Sequence, residues 1–140
     1  MNFARPIVID TGVLVSAAVR PQSVPALALG RALLHYEVCA SLATFAELQT
    51  VLLRPKFDPY ASLATRQAFV EGLSQHLRMV EVTQQITDCT DPKDNDNKLL
   101  GLALTVGAEM IVASDPHLTL MHSWRVIPIM PPAAFLVGTR

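Results

Sequence analysis

The sequence predicts a three-layer α/β/α sandwich around a mainly parallel central sheet, and three observations predict it. Its short apolar runs, Ile7-Val8-Ile9 and Ile111-Val112-Ala113, are continuous rather than alternating, as strands buried on both faces of a parallel sheet must be. Between such runs lie stretches rich in Ala and Leu with helical spacing, so strand and helix alternate along the chain. The chain has 140 residues, the length of one compact domain, and a single domain over 1–140 is expected.

In chain order, residues 6–10 form the first strand, closed by Asp10. Residues 24–36 form a helix and 37–40 a brief strand. Ser41 or Thr44 caps a second helix that runs to Arg54, where Pro55 drives its predecessor out of helical backbone. A third helix over 62–77 sets Phe69, Leu73 and Leu77 on one face, and 79–82 form a strand. Residues 87–97 are a polar, acidic loop that opens into a helix from about 97 to 106, stopped by Gly107. A strand over 109–113 ends in Ser114-Asp115. A short helix after Pro116, a strand around 125–128 and a helix starting at Pro131-Pro132 complete the chain.

Hydrophobic residues make up 51% of the chain and charged ones 16%, which excludes disorder and leaves a surface apolar enough to need a partner over part of it. Net charge is −1, so there is no global basic field and any nucleic-acid binding must be local. Cys39 and Cys89 have no zinc or CxxC spacing and read as buried thiols of a cytoplasmic protein. His35, His76, His117 and His122 form no HxxxH, against a zinc hydrolase. Asp10 interrupts the apolar segment 6–19, which disfavours a signal peptide, and no run approaches the ~18 apolar residues of a membrane span. A soluble protein without membrane contact is expected.

Four acidic residues then stand out by position. Asp10 ends the first strand, Glu47 lies in a helix, Asp96 begins a helix, and Asp115 ends a later strand. Open α/β sheets bind ligands beyond the carboxyl ends of their strands, so these side chains are expected at one edge. Each also has a plainer role. Asp10 suits an Asx turn, Glu47 stands at capping-box spacing from Thr44, Asp96 suits an N-cap, and Asp115-Pro116 suits a helix start. Gathered without basic partners, such carboxylates raise one another's pKa values unless a cation neutralises them. All-oxygen donors select Mg²⁺ or Mn²⁺, which would bind a phosphate oxygen and activate water. The residues therefore point to a metal-dependent site for phosphate transfer or phosphodiester cleavage.

Ile7-Val8-Ile9-Asp10-Thr11-Gly12-Val13-Leu14-Val15-Ser16-Ala17 resembles the opening block of the PIN domain family. Ala46-Glu47-Leu48 with the stretch from Val51 to Phe57 resembles the second acidic block of that family's toxin-like branch. Asp91-Pro92-Lys93-Asp94-Asn95-Asp96, then Gly107-Ala108 and Ile111-Val112-Ala113-Ser114-Asp115, resemble the third and fourth. The resemblance implies a Mg²⁺- or Mn²⁺-dependent ribonuclease that leaves a 3′-hydroxyl and a 5′-phosphate. It also implies an RNA substrate, an antitoxin protein as partner, and a homo-oligomer, expected as a dimer. Asp10, Glu47, Asp96 and Asp115 would hold the metal, directly or through water.

The chain departs from the family pattern at three places. Gly12 stands where Asn is usual, and His117 where a further carboxylate is common. The third block carries two residues more than usual, so Asp94 matches by distance from Pro92 and Asp96 by distance to Leu99, Leu100 and Ala103. Asp96 is preferred, because the helix must keep its apolar face on the core. Thr11 and Ser114 could orient a ligating carboxylate or water, and His117 could contact the metal. Arg20, Arg54, Lys56, Lys93 and Lys98 are candidates for phosphate contact, although a solvated surface explains most of them. A non-catalytic PIN-fold binding module is the second reading. An aspartyl-phosphate phosphatase is weaker, for Gly12 stands where its second Asp would be.

Overall fold

The computed structural model describes residues 5–89 and 95–138. Five strands, β1 (Pro6–Ile9), β2 (Glu37–Ala40), β3 (Arg78–Met79), β4 (Met110–Val112) and β5 (Ile129–Met130), form one sheet in the order β3-β2-β1-β4-β5. Every pairing is parallel, with Ile7 opposite both Val38 and Met110. The helices among the described residues are α1 (Thr11–Val19), α2 (Val24–His35), α3 (Leu42–Leu52), α4 (Leu63–Ser74), α5 (Asn95–Val106), α6 (Pro116–Thr119) and, after the last strand, α7 (Pro132–Gly138).

The pleat divides the core between the two faces of the sheet. Ile7, Ile9, Val38 and Val112 point to one side, where α1, α2, α3, α4 and α7 pack. Val8, Cys39, Ile111 and Ala113 point to the other, against Leu99, Leu100, Leu102 and Ala103 of α5 and Leu118 of α6. Helices therefore cover both faces, which is the predicted three-layer sandwich.

Several element bounds differ from expectation. Residues 11–19 form a helix that the sequence reading left unassigned; Val13, Leu14, Val15, Ala17 and Ala18 are all buried, so no polar stripe marks it. The strand expected over 79–82 is only Arg78–Met79, because β3 lies at the sheet edge and residues 80–88 leave the ladder. The strand expected over 125–128 lies instead at Ile129–Met130. Trp124 and Ile127 bridge antiparallel around Arg125 and Val126, both at positive φ, and that tight turn occupies the expected strand. The second helix ends at Leu52, short of Arg54, and a 3-10 turn follows over Pro55–Phe57. The third spans Leu63–Ser74 behind an Ser62 cap, and α5 begins at Asn95.

No single helix among the described residues is long and apolar enough to cross a membrane.

Candidate metal centre

Because the strands run parallel, their carboxyl ends share one edge. β1 ends beside Asp10, whose backbone N–H still donates to the Val112 carbonyl at 2.9 Å, and β4 ends beside Ser114 and Asp115. Asp10, Glu47, Asp96 and Asp115 line one cleft of about 130 Å³, together with Thr11, Gly12, Thr44 and Ser114. Among the described residues, neither lysine nor arginine lines it. Asp94 lies outside the described residues.

Asp10 is the N-cap of α1 as well as a wall of this cleft, so it combines its plain role with its place in the site. Its Oδ1 accepts from the Val13 N–H at 2.8 Å and its Oδ2 from the Ser114 N–H at 3.2 Å. Each oxygen has a second acceptor direction, so these bonds do not exhaust the carboxylate. The side chain is buried, and burial pushes its pKa up to about 6. Donation from the Val13, Ser114 and Asp115 backbone opposes that shift, and the charge of Asp115 reinforces it.

Glu47 does not close a capping box with Thr44. Ser41 and Thr44 form that box themselves: the Thr44 N–H donates to Ser41 Oγ at 3.1 Å and the Ser41 N–H to Thr44 Oγ1 at 2.9 Å. The α3 N-terminus is thus satisfied one turn before Glu47, whose half-buried side chain reaches the cleft.

Asp96 is buried in the first turn of α5, inside the helix and so not its N-cap. Leu99, Leu100 and Ala103 are buried beyond it, as the helix phase requires. Asp115 is the N-cap of α6, accepting from the His117 N–H at 2.9 Å.

His117 is brought closer than the sequence suggested. Its Nδ1 lies 3.2 Å from Asp115 Oδ1, and ligand atoms of Asp96, Asp115 and His117 fall within 4.8 Å of one another. The signal in the sequence was the i to i+2 spacing from a capping Asp, which orients a helix's first turn back towards its cap. Thr44 and Leu99 also line the cleft and were not singled out as site residues. At Gly12 a Cβ would stand 3.4 Å from Ser114 Oγ and 3.6 Å from Asp10 Oδ1, in ordinary van der Waals contact, so the departure from Asn removes a polar side chain from a position beside Asp10.

The donor set suits a hard divalent cation. Carboxylates crowd a cleft that no lysine or arginine lines among the described residues, and one of them is held toward its neutral form by burial. An imidazole at the rim is compatible with Mn²⁺ as well as with oxygen-only ligation by Mg²⁺. Of the basic residues named above, Arg20 lies over the Tyr60 ring and Lys56 over the Phe57 ring. Lys93 lies outside the described residues.

The model of the PIN domain family matches residues 6–117. A comparison with curated proteins gives no match. Among solved structures the fold is similar to VapBC2 from Rickettsia felis bound to a DNA fragment from their promoter, at 12% identity and TM-score 0.59, covering 89% of this chain and 96% of that one. It is also similar to Mycobacterium tuberculosis VapC20, a sarcin-ricin loop cleaving toxin, at 15% identity and TM-score 0.55, covering 79% of this chain and 90% of that one.

Proposed function

The chain belongs to the PIN domain family, and from that premise we propose that it is a Mg²⁺- or Mn²⁺-dependent endoribonuclease, a VapC-like toxin held in check by an antitoxin protein. The observation that carries the reading is the convergence of Asp10, Glu47, Asp96 and Asp115 on one cleft, with no lysine or arginine lining it among the described residues. When bound there, the cation would neutralise these carboxylates, bind a phosphate oxygen and lower the pKa of water.

Asp96 and Asp115 are the donors best placed for direct ligation, with His117 beside them. Asp10, held by the Val13 and Ser114 N–H groups among its backbone donors, offers its remaining acceptor directions to the ion or to a water on it. Ser114 and Thr11 present hydroxyls to the same space and would orient a water or a phosphate oxygen. Glu47, on a different helix, is placed to take a proton from the attacking water.

The structural likeness to VapBC2 and VapC20 supports the antitoxin and the RNA substrate as partners in this reading. Exposed Leu34, Leu120, Val126 and Val137 supply apolar surface for the antitoxin and for a homodimer, both acting in the cytoplasm.

The test is cleavage of a mixed single-stranded RNA by the purified chain in Mn²⁺, with an EDTA control and the Asp10→Asn variant. The parent should cut, EDTA should stop it, and Asp10→Asn should lose more than about a hundredfold, the scale of removing one electrostatic group from a preorganised site. Undiminished cutting by Asp10→Asn would remove Asp10 from the site. Gly12, which puts no polar side chain beside Asp10, favours a second reading, a PIN-fold binding module without catalysis. Metal binding without cleavage would select it.

A further inference from the structure

A second depression lies along the same sheet edge. The order β3-β2-β1-β4 places the carboxyl ends of β3 and β2 beside those of β1 and β4. Beyond β3 and β2 lies a groove of about 760 Å³, between the first turn of α3, the start of α5 and residues 80–87. The two depressions share their flanking helices. Thr44 and Glu47 of α3 face the carboxylate cleft while Leu42 and Ala43 face the groove; Asp96 of α5 faces the cleft while Asn97 and Lys98 face the groove. Strand spacing puts their centres about 10 Å apart, two strands along the sheet.

The outer wall of the groove is anchored, although it belongs to no ladder. The Val80 N–H donates to the Ala40 carbonyl at 2.8 Å, and the Thr83 N–H to Thr105 Oγ1 at 3.3 Å. A Cβ on Gly101 would sit 2.7 Å from the Gln84 carbonyl oxygen, so only glycine lets this segment lie so close to α5. The far end is pinned by the buried Asn97 amide, which accepts from the Cys89 N–H at 2.8 Å and donates to the Cys89 carbonyl at 2.9 Å. Such a wall is formed before any ligand arrives, which lowers the ordering cost of binding.

We infer that this groove binds a nucleobase of single-stranded RNA, one nucleotide or two from the phosphate held in the carboxylate cleft. The inference rests on the nuclease reading of that cleft and deepens it. The groove has the volume of a small-molecule site, with Val80 and Val82 as apolar wall for the faces of a base. The Gln84 and Gln85 amides are exposed and offer both donor and acceptor to a base edge. Its charged lining residues are Glu81, able to accept from an exocyclic amine, and Lys98, able to pair with a flanking phosphate. Among the described residues no aromatic side chain lines it, so discrimination would come from edge hydrogen bonds rather than from stacking. A peptide helix is the poorer occupant, since it needs a continuous apolar trough and this one is broken by two amides and two charges.

The test fills the groove from outside the carboxylate machinery. Ala43→Trp places an indole in it, Gln84→Ala with Gln85→Ala removes the amides, and Ala134→Trp on α7 is the control for added surface area. The two tryptophan variants are made in the Asp10→Asn background, and binding of a fluorescein-labelled random-sequence RNA 8-mer is followed by anisotropy in Mg²⁺. Thermal scans check that each variant is folded. Ala43→Trp should weaken Kd at least tenfold and Ala134→Trp should leave it within twofold. The double alanine variant, in the otherwise parental chain, should bring cleavage of oligo(A), oligo(C) and oligo(U) to within threefold of one another. Unchanged Kd in Ala43→Trp, or conversion of a dimer to a monomer by that variant in light scattering, overturns the proposal. A parent that binds RNA through the groove yet cuts none in Mn²⁺ leaves the groove standing and removes the nuclease reading.

Discussion

Asp10 holds two demands on one side chain, since it caps α1 and walls the metal cleft. Its pKa near 6, raised from 3.8 chiefly by burial, means that the folded state binds its proton more tightly than the unfolded chain. Asp10 therefore stabilises the metal-free fold fully below about pH 4, and this contribution is lost as pH rises through 6. At about 1.4 kcal/mol per pH unit the whole contribution is about 3 kcal/mol. Thermal scans without metal should show Tm falling between about pH 4 and 6.5, and Asp10→Asn should flatten that fall. Parallel curves for the two proteins would contradict a protonated Asp10. A second comparison concerns the acidic loop. Asp96→Asn should abolish metal binding and cleavage together, since Asp96 is buried at the cleft. Asp94→Asn should weaken either by less than about tenfold, or 1.4 kcal/mol. An active Asp96→Asn beside a dead Asp94→Asn would show that the block aligns by its distance from Pro92.

Among the elements, α3 owes its C-terminal end to a residue on another helix. Arg66 of α4 is fully buried and donates to the Leu52, Arg54 and Ala61 carbonyls at 2.9, 3.0 and 3.0 Å. It also pairs with Asp58, whose side chain is 63% exposed. The guanidinium thus satisfies carbonyls at the negative end of α3 and complements its dipole. Arg66→Met keeps apolar bulk and removes three hydrogen bonds, with the Arg54 carbonyl still accepting from the Phe57 N–H, so at about 1 kcal/mol each urea denaturation should report a loss of about 3 kcal/mol. Asp58→Asn removes only an exposed charge and should cost under about 1 kcal/mol. Equal losses would mean that the ion pair, rather than the carbonyl contacts, holds this end. Since α3 carries Glu47 to the cleft, Arg66→Met should also lower cleavage in proportion to its loss of folded protein.

Over the whole molecule, metal binding and folding are coupled through the cleft, because its walls come from α1, α3, α5 and the loop after β4 and meet only in the native state. Mg²⁺ or Mn²⁺ at a hundredfold excess over Kd should stabilise the fold by about 2.7 kcal/mol, visible as a rise in Tm. Protons compete with the ion at these carboxylates, so the rise should be larger at pH 7.5 than at pH 5. A flat Tm up to millimolar metal would argue against a cation site here.

What the sequence determined by itself is local. The apolar runs ending in Asp10 and Ser114-Asp115, the cap at Ser41, and the stop at Gly107 each depend on residues a few positions apart, and the structure has them where the sequence placed them. Asp96 could be placed on α5 by helix phase, for the same reason. What only the tertiary structure decided needs partners distant in the chain. Helix α1 is apolar nearly all round, so its period is silent until a sheet and two helices cover it. The short edge strands β3 and β5 are defined by their neighbours and not by their own residues. His117 joins Asp96 across 21 positions only because β4 delivers both α6 and Asp115 to the start of α5. Periodicity and capping are short-range forces that a sequence displays; register, edge pairing and the convergence of charges are fixed by the packing of elements that meet only when the chain has folded.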